Sequence, residues 1–253
     1  MSLRLYVTGR LDIEQDGVLL DTRGIPGRQG RRMLAYLLCE RGRLVPRDEL
    51  AEAIWGEEPP RAWDAALSAL ASKLRTLLRA LGPRQAARLE SAYGCYRLRL
   101  AADAWVDLEA ATRAIDEAEG ALRGGAVAQA WPAACVASAI ARRPFLPGEE
   151  GAWVERQRQR LRTLLLRALD CLAEIWLLRS EGALAVAAAQ ETVALEPFRE
   201  TGYQRLMRAH ATVGNRAEAL RVYERCRRLL ADELGADPSP QTQALHLELL
   251  RLE

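Results

Sequence analysis

The apolar positions of this chain change their spacing three times. Leu3, Leu5 and Val7 alternate with polar neighbours, and the same period of two predicts short strands over 3–7, 10–14 and 18–21, with Asp16-Gly17 as a hairpin turn. Gly24, Pro26 and Gly27 then break the pattern. From Arg28 the spacing becomes helical: Met33, Leu34, Leu37 and Leu38 share one face, and Gly42 ends that helix. Pro46 opens a second helix with Leu50, Ala53 and Ile54 inward, which stops at Trp55-Gly56. After the loop Glu57-Glu58-Pro59-Pro60, a third helix is predicted from about Ala62 to Leu81, with Leu67, Leu70, Leu74, Leu77 and Leu78 as its apolar stripe and Gly82-Pro83 as its stop. Arg88 to Leu98 returns to strand, turn, strand.

Beyond Ala101 no strand signal remains. Helices are predicted at about 105–122, 126–142, 149–179, 183–195, 199–213, 215–234 and 240–251, separated by Gly124-Gly125, Pro144, Pro147-Gly148, Gly182, Pro197, Gly214-Asn215 and Pro238. Two stretches echo each other: Gly182-Ala183-Leu184 leading to Pro197, and Gly214 to Leu220 leading to Pro238. A short loop, an Ala-rich helix and a Pro about 20 residues on is the tetratricopeptide pattern, here with irregular repeats. The pattern therefore predicts a mainly α chain with a small β component. A winged helix-turn-helix over 1–101 (three helices, then a hairpin) is followed by an all-α, tetratricopeptide-like domain over 102–253. A fragment ending near Ala101 is expected to fold alone, and to bind DNA more weakly than the full chain.

Composition adds a direction. Residues 1–100 hold 17 basic and 12 acidic side chains, whereas residues 101–253 hold 19 and 22, so the winged-helix half is the cationic one. Lys73 is the single lysine, which excludes a Walker-type phosphate loop. No run of about 18 apolar residues predicts a membrane span, and the N-terminus lacks the basic start and apolar core of a signal peptide, so a cytoplasmic protein is expected. Cys39, Cys95, Cys135, Cys171 and Cys226 are too far apart for a zinc or disulfide framework and read as small buried residues. His210 and His246 stand on separate helices with no catalytic constellation around them. Neither an enzyme nor a cofactor is expected. The six tryptophans read as packing residues, Glu149-Glu150 as favouring the start of the next helix, and Arg156, Arg158, Arg160 and Arg162 as solvated charge.

The chain resembles the Streptomyces antibiotic regulatory protein family. The resemblance is carried by Gly27 to Leu38, Arg41 to Trp55, Ser72-Lys73-Leu74-Arg75 and Tyr93-Gly94-Cys95-Tyr96-Arg97-Leu98. It continues through Val106-Asp107-Leu108, Arg143 to Gly148, Trp153-Val154-Glu155 and Arg216 through Pro238. It implies a response-regulator-type winged helix joined to a bacterial transcriptional activator domain. The implied protein is an activator that binds promoter direct repeats and recruits RNA polymerase. It also implies a homodimer, with an effector or protein partner on the helical domain. The chain departs from the family where the third helix begins: Ala65-Ala66-Leu67-Ser68-Ala69-Leu70-Ala71 holds one clear hydrogen-bonding group, Ser68. It is also expected to lack the ATPase and sensor domains of larger relatives.

The candidate contacts with double-stranded DNA are Ser68, Ser72, Lys73, Arg75, Thr76 and Arg79 on the third helix. Lys and Arg suit phosphates and guanine edges, and Ser and Thr suit either. Lys73 and Arg75 lie about 200° apart around a helix, so both are assigned to phosphates, with Ser68, Ser72 and Thr76 as the line nearer the groove floor. Arg88, Arg97 and Arg99 on the hairpin either grip DNA or protect a strand edge. Arg28, Arg31 and Arg32 either hold phosphates or are solvated. Glu57, Glu58 and Arg61, in the loop before the third helix, are the candidate polymerase contact. The rival reading is a tetratricopeptide interaction module whose winged helix has lost specific DNA binding.

Overall fold

The computed structural model describes residues 2–20, 25, 27–80 and 87–251. The expected stops Gly24, Pro26 and Gly82-Pro83 lie outside them, as do Asp21 and Leu81, the predicted ends of the third strand and third helix. By internal contacts the chain forms two compact units, residues 1–111 with 140–162 and residues 112–139 with 163–253.

The first unit is built on the alternating segments. Strands β1 (Leu3–Tyr6), β2 (Asp12–Gln15) and β3 (Val18–Leu19) form an antiparallel meander, with Asp16 and Gly17 at φ 50° and 85° in the turn between β2 and β3. Helix α1 (Gly27–Cys39) buries Met33, Leu34, Leu37 and Leu38. A short strand β4 (Val45–Pro46) leads into α2 (Arg47–Trp55), and α3 (Trp63–Ala80) follows. Strands β5 (Ala87–Ala92) and β6 (Cys95–Leu100) make the hairpin, and β4 pairs with β6 to give the sheet order β4-β6-β5. The helix-turn-helix and its wing are thus present.

Two two-residue strands, β4 and β7 (Trp105–Val106), escape the sequence pattern. β7 pairs parallel to β1, with Arg4 opposite Trp105 and Leu5 opposite Val106. Two residues are too few to show a period of two, so only the tertiary partner reveals them. Immediately after β7, Asp107 opens α4 (Asp107–Arg123). Its fully buried carboxylate accepts from the N–H of Val7 (3.0 Å), the N–H (2.9 Å) and hydroxyl (2.7 Å) of Thr8, and the N–H of Leu108 (2.7 Å). It therefore satisfies donors at the end of β1 and one of the otherwise unpaired N–H groups at the start of α4 at once.

The segment 140–162 also belongs to this unit. Thr8 bridges Phe145, Gly9 N–H donates to the Pro144 carbonyl at 2.8 Å, and Leu146 N–H donates to that of Val7. Phe145 is fully buried, and Trp153 packs against both Tyr36 and Phe145 at ring separations of 4.9 and 5.5 Å. The expected domain boundary at 101/102 and the compact unit do not coincide: β7, Asp107 and the Pro144–Trp153 stretch fold with the winged helix.

The second unit stacks helical hairpins α7 (Gly182–Leu195), α8 (Glu200–Thr212), α9 (Arg216–Leu234) and α10 (Pro240–Arg251), beside parts of α4, α5 (Val127–Ala141) and α6 (Ala152–Leu178). Two glycines permit the α7–α8 approach. A Cβ on Gly182 would lie 2.4 Å from Val213 Cγ1, and one on Gly202 would lie 3.2 Å from Thr192 and Val193 side-chain carbons. Helix α9 is capped at both ends: Asn215 accepts from Glu218 N–H, and Gly235 closes it in the left-handed region. Among the described residues no helix is long and apolar enough to cross a membrane.

Because Asp107 satisfies buried donors at the end of β1, Asp107→Ala is expected to cost about 3 kcal/mol in urea unfolding of the full chain. A fragment 1–101, lacking β7, Asp107, Phe145 and Trp153, is expected to show no cooperative thermal transition. This reverses the expectation from sequence, and a sharp melt of that fragment would restore it.

Candidate nucleic-acid interface

Helix α3 is 18 residues long, about 27 Å at 1.5 Å per residue. Leu67, Leu70, Ala71, Leu74 and Leu78 are buried and fix its roll; Leu77, assigned to the buried stripe from sequence, is half-buried. The opposite face presents Ala65, Ser68, Ala69, Ser72, Lys73, Thr76 and Arg79, all exposed. Lys73 and Arg79 make no hydrogen bond or ion pair among the described residues. Ser68 Oγ donates to the Asp64 carbonyl at 3.0 Å, and Thr76 Oγ1 to that of Ser72 at 3.2 Å, so both hydroxyls lean back on their own helix.

Arg75 behaves differently from its neighbour Lys73. It is half-buried, its Nε donates to the Leu89 carbonyl at 3.2 Å and its Nη2 to Ser91 Oγ at 3.1 Å, and its guanidinium lies 5.9 Å from the Tyr96 ring centre. It joins α3 to the wing.

A second arginine does the same at the other end of the helix. Arg47, the first residue of α2, donates from Nε to Asp64 Oδ1 (2.8 Å), from Nη2 to the Asp64 carbonyl (3.0 Å) and Ser68 Oγ (2.9 Å), and from Nη1 to the Tyr96 hydroxyl (2.6 Å). Its backbone N–H donates to the Gly94 carbonyl in the wing turn at 3.2 Å. Tyr96 is buried between the two guanidiniums. Sequence reading passed over Arg47 and Tyr96 as site residues. Arg47's side-chain partners are 17 to 49 positions away, beyond any local period, although the inward alternation of Tyr96 with Leu98 was visible.

The wing has a charged outer face. In the β5–β6 register Arg88 stands opposite Arg99 and Glu90 opposite Arg97. Arg88, Arg97 and Arg99 all pair with Glu90, at 2.6, 3.0 and 3.1 Å. The hydrogen bond from Arg97 leads in holding the Glu90 carboxyl below the usual carboxylate range. Three guanidiniums share one carboxylate, so an excess of two positive charges remains. The turn is the two-residue type with both residues left-handed, Tyr93 at φ 53° and Gly94 at φ 71°. Gly suits that geometry; a bulky L-residue there costs about 1–2 kcal/mol. Tyr93 is also 97 % exposed.

Arg28, Arg31 and Arg32 lie away from this face and converge on one buried carboxylate. Arg28 Nε and Arg32 Nε each donate to Glu149 Oε2 at 2.8 Å, and Arg31 Nη2 lies 3.3 Å from Oε1. Arg32, itself mostly buried, also donates to the carbonyls of Ile54 and Glu150. Glu149, expected to serve the start of the following helix, is instead the anchor of three arginines on α1. Arg158, read as solvated charge, donates to the Glu149 carbonyl at 2.7 Å and holds the same loop. Glu57, Glu58 and Arg61 are exposed in the loop between α2 and α3 and have no ion pair among the described residues.

A helix-turn-helix with a cationic wing, carried with tetratricopeptide-like hairpins on one chain, defines the class of winged-helix transcription regulators. The chain belongs to the family described as bacterial transcriptional activator domain, which matches residues 106–250, and residues 26–95 match the family described as transcriptional regulatory protein, C terminal. The resemblance to Streptomyces antibiotic regulatory proteins stands. Over 252 residues the chain is 36 % identical to the regulatory protein AfsR of Streptomyces coelicolor, covering all of this chain and 24 % of that protein. It is 31 % identical to the transcriptional regulator RedD of the same organism, covering 90 % of this chain and 65 % of RedD. The solved structure of Mycobacterium tuberculosis EmbR in complex with a low affinity phosphopeptide superposes with a TM-score of 0.88 at 28 % identity, covering 98 % of this chain and 65 % of that one. The chain thus spans about a quarter of the length of AfsR.

The Glu149 cluster makes a pH prediction. Burial works to raise its pKa, but hydrogen bonds from Arg28 and Arg32 outweigh it and hold the carboxyl below the usual range. A depressed folded-state pKa contributes stability above the unfolded value of about 4.3, and that contribution is lost as the pH falls. Glu149→Gln is expected to cost about 2 kcal/mol at pH 7, with the gap to the parent closing as the pH falls below the unfolded value. A gap that stays constant over that fall in thermal melts would show that the charge of Glu149 stabilises nothing.

Proposed function

We propose that this protein is a sequence-selective DNA-binding transcription activator. In this reading α3 enters the major groove with Ser68, Ser72 and Thr76 toward base edges, and Lys73 and Arg79 hold phosphates on its flanks. The wing, through Arg88, Arg97 and Arg99, lies on the adjoining backbone. The observation that carries this is the presence on α3 of exposed hydroxyls and of cations without a partner among the described residues, beside a wing with excess positive charge. Alanines early in the helix touch thymine methyls and donate nothing, so DNA shape carries much of the selectivity. Arg28, Arg31 and Arg32, already engaged by Glu149, act as structural residues with at most a secondary pull on phosphates.

By resemblance to Streptomyces antibiotic regulatory proteins, the target is a promoter direct repeat, and the exposed Glu57, Glu58 and Arg61 contact RNA polymerase. The helical unit supplies homodimer contacts and a surface for an effector or protein partner. The interaction-module alternative is not favoured, because the relatives are named as transcriptional regulators.

The test is capture of genomic fragments on the full-length protein at low salt, followed by salt titrations on a recovered duplex and a scrambled one. Lys73→Ala and Arg79→Ala are each expected to weaken both duplexes alike and to lower the salt slope by about one. Arg75→Ala, which frees the wing, is expected to weaken the recovered duplex more than the scrambled one with little change in slope. Protein that retains no fragment more tightly than random DNA defeats the proposal.

A further inference from the structure

Tyr93 is the most exposed large hydrophobic side chain among the described residues, and it occupies a backbone conformation that penalises it. A lone exposed aromatic residue is ordinary. An exposed aromatic ring on a residue at φ 53°, in a two-residue turn whose geometry favours Asn-Gly, is not, because at 97 % exposure it gains almost no burial to compensate. Strain kept at a position with no packing role points to a contact made outside the chain.

The position of the turn says which contact. The Gly94 carbonyl accepts from the backbone N–H of Arg47, and the Arg47 side chain reaches Ser68 on the presented face of α3. Ser91, two residues before Tyr93, holds Arg75 from the same helix. The turn is therefore pinned at both ends to the element that presents Lys73, Ser72 and Thr76. Behind it, the outer face of the hairpin carries excess positive charge. A ring carried on this turn stands beside the element that presents Lys73, Ser72 and Thr76. The start of α3 is poor in hydrogen-bonding groups, so an additional contact next to it has most to contribute.

We infer that the aromatic ring of Tyr93 is a direct contact with duplex DNA, packing against the sugars and base edges beside the wing, and that its left-handed backbone is retained for that contact at the expense of stability. The inference rests on the DNA-binding reading above. It differs from the contacts of Lys73 and Arg79 because the ring is neutral and releases no counterions.

Three full-length proteins test it: the parent, Tyr93→Asn and Tyr93→Phe, on a duplex recovered from genomic fragments. Tyr93→Asn creates the favoured turn pair, so it folds, and its melting temperature should rise by about 2–4 °C. Its affinity should fall about tenfold with an unchanged salt slope. Tyr93→Phe keeps both ring and strain and should match the parent in melting and within about threefold in binding. An Asn variant that binds like the parent overturns the inference, as does a Phe variant that falls as far as Asn, or a salt slope lower by about one. A parent that binds no duplex removes the DNA-binding reading itself, which separates the two failures.

Discussion

The first unit depends on one buried carboxylate. Asp107 lies 100 residues from the strand end that it serves, and it gathers the backbone donors of Val7 and Thr8 while opening α4. An unpaired carboxylate at that depth is costly, and so are unpaired backbone N–H groups, so strand and helix start are stable only together. The parallel pairing of β7 with β1 places Asp107 at that strand end, and the Thr8–Phe145 bridge brings the 140–162 segment to the same strand. Buried Phe145 and Trp153 then close the apolar floor under α1 through Tyr36.

On that base, the presented face is set by arginines acting as braces. Arg47 and Arg75 enclose the Tyr96 ring and tie both ends of α3 to the hairpin. A guanidinium has five donors in a fixed plane, which lets Arg47 serve Asp64, Ser68 and Tyr96 at once. The same chemistry at Glu149 absorbs Arg28, Arg31 and Arg32. On α3 and the wing, Lys73 and Arg79 keep no partner among the described residues, and three wing guanidiniums share one carboxylate. A chain with a formal charge of only +2 thereby carries a local positive surplus on α3 and the wing.

Much of the fold was legible in the sequence. Long amphipathic segments such as Leu67 to Leu78 declare their period, and Asn215 and Gly235 mark helix ends through local backbone chemistry. The order of three helices and a hairpin followed. The candidate list on α3 was legible in part: the exposed positions came from the helical period, whereas the fate of each cation did not. Lys73 and Arg75 are equivalent two positions apart in sequence, yet one projects freely and the other is bonded to Leu89 and Ser91.

What the sequence determined by itself was whatever depends on neighbours within a few residues: helices, turns, caps, the winged-helix order and the basic character of the first hundred residues. What only the tertiary structure decided was which distant groups share a bond: β7 on β1, Asp107 on Val7 and Thr8, the three arginines on Glu149, and Arg47 on Asp64 and Tyr96. These are electrostatic and hydrogen-bonded pairings across 17 to 121 positions. They carry no periodic signature along the chain, because a carboxylate or a guanidinium reads as surface charge until the fold buries it against its partner.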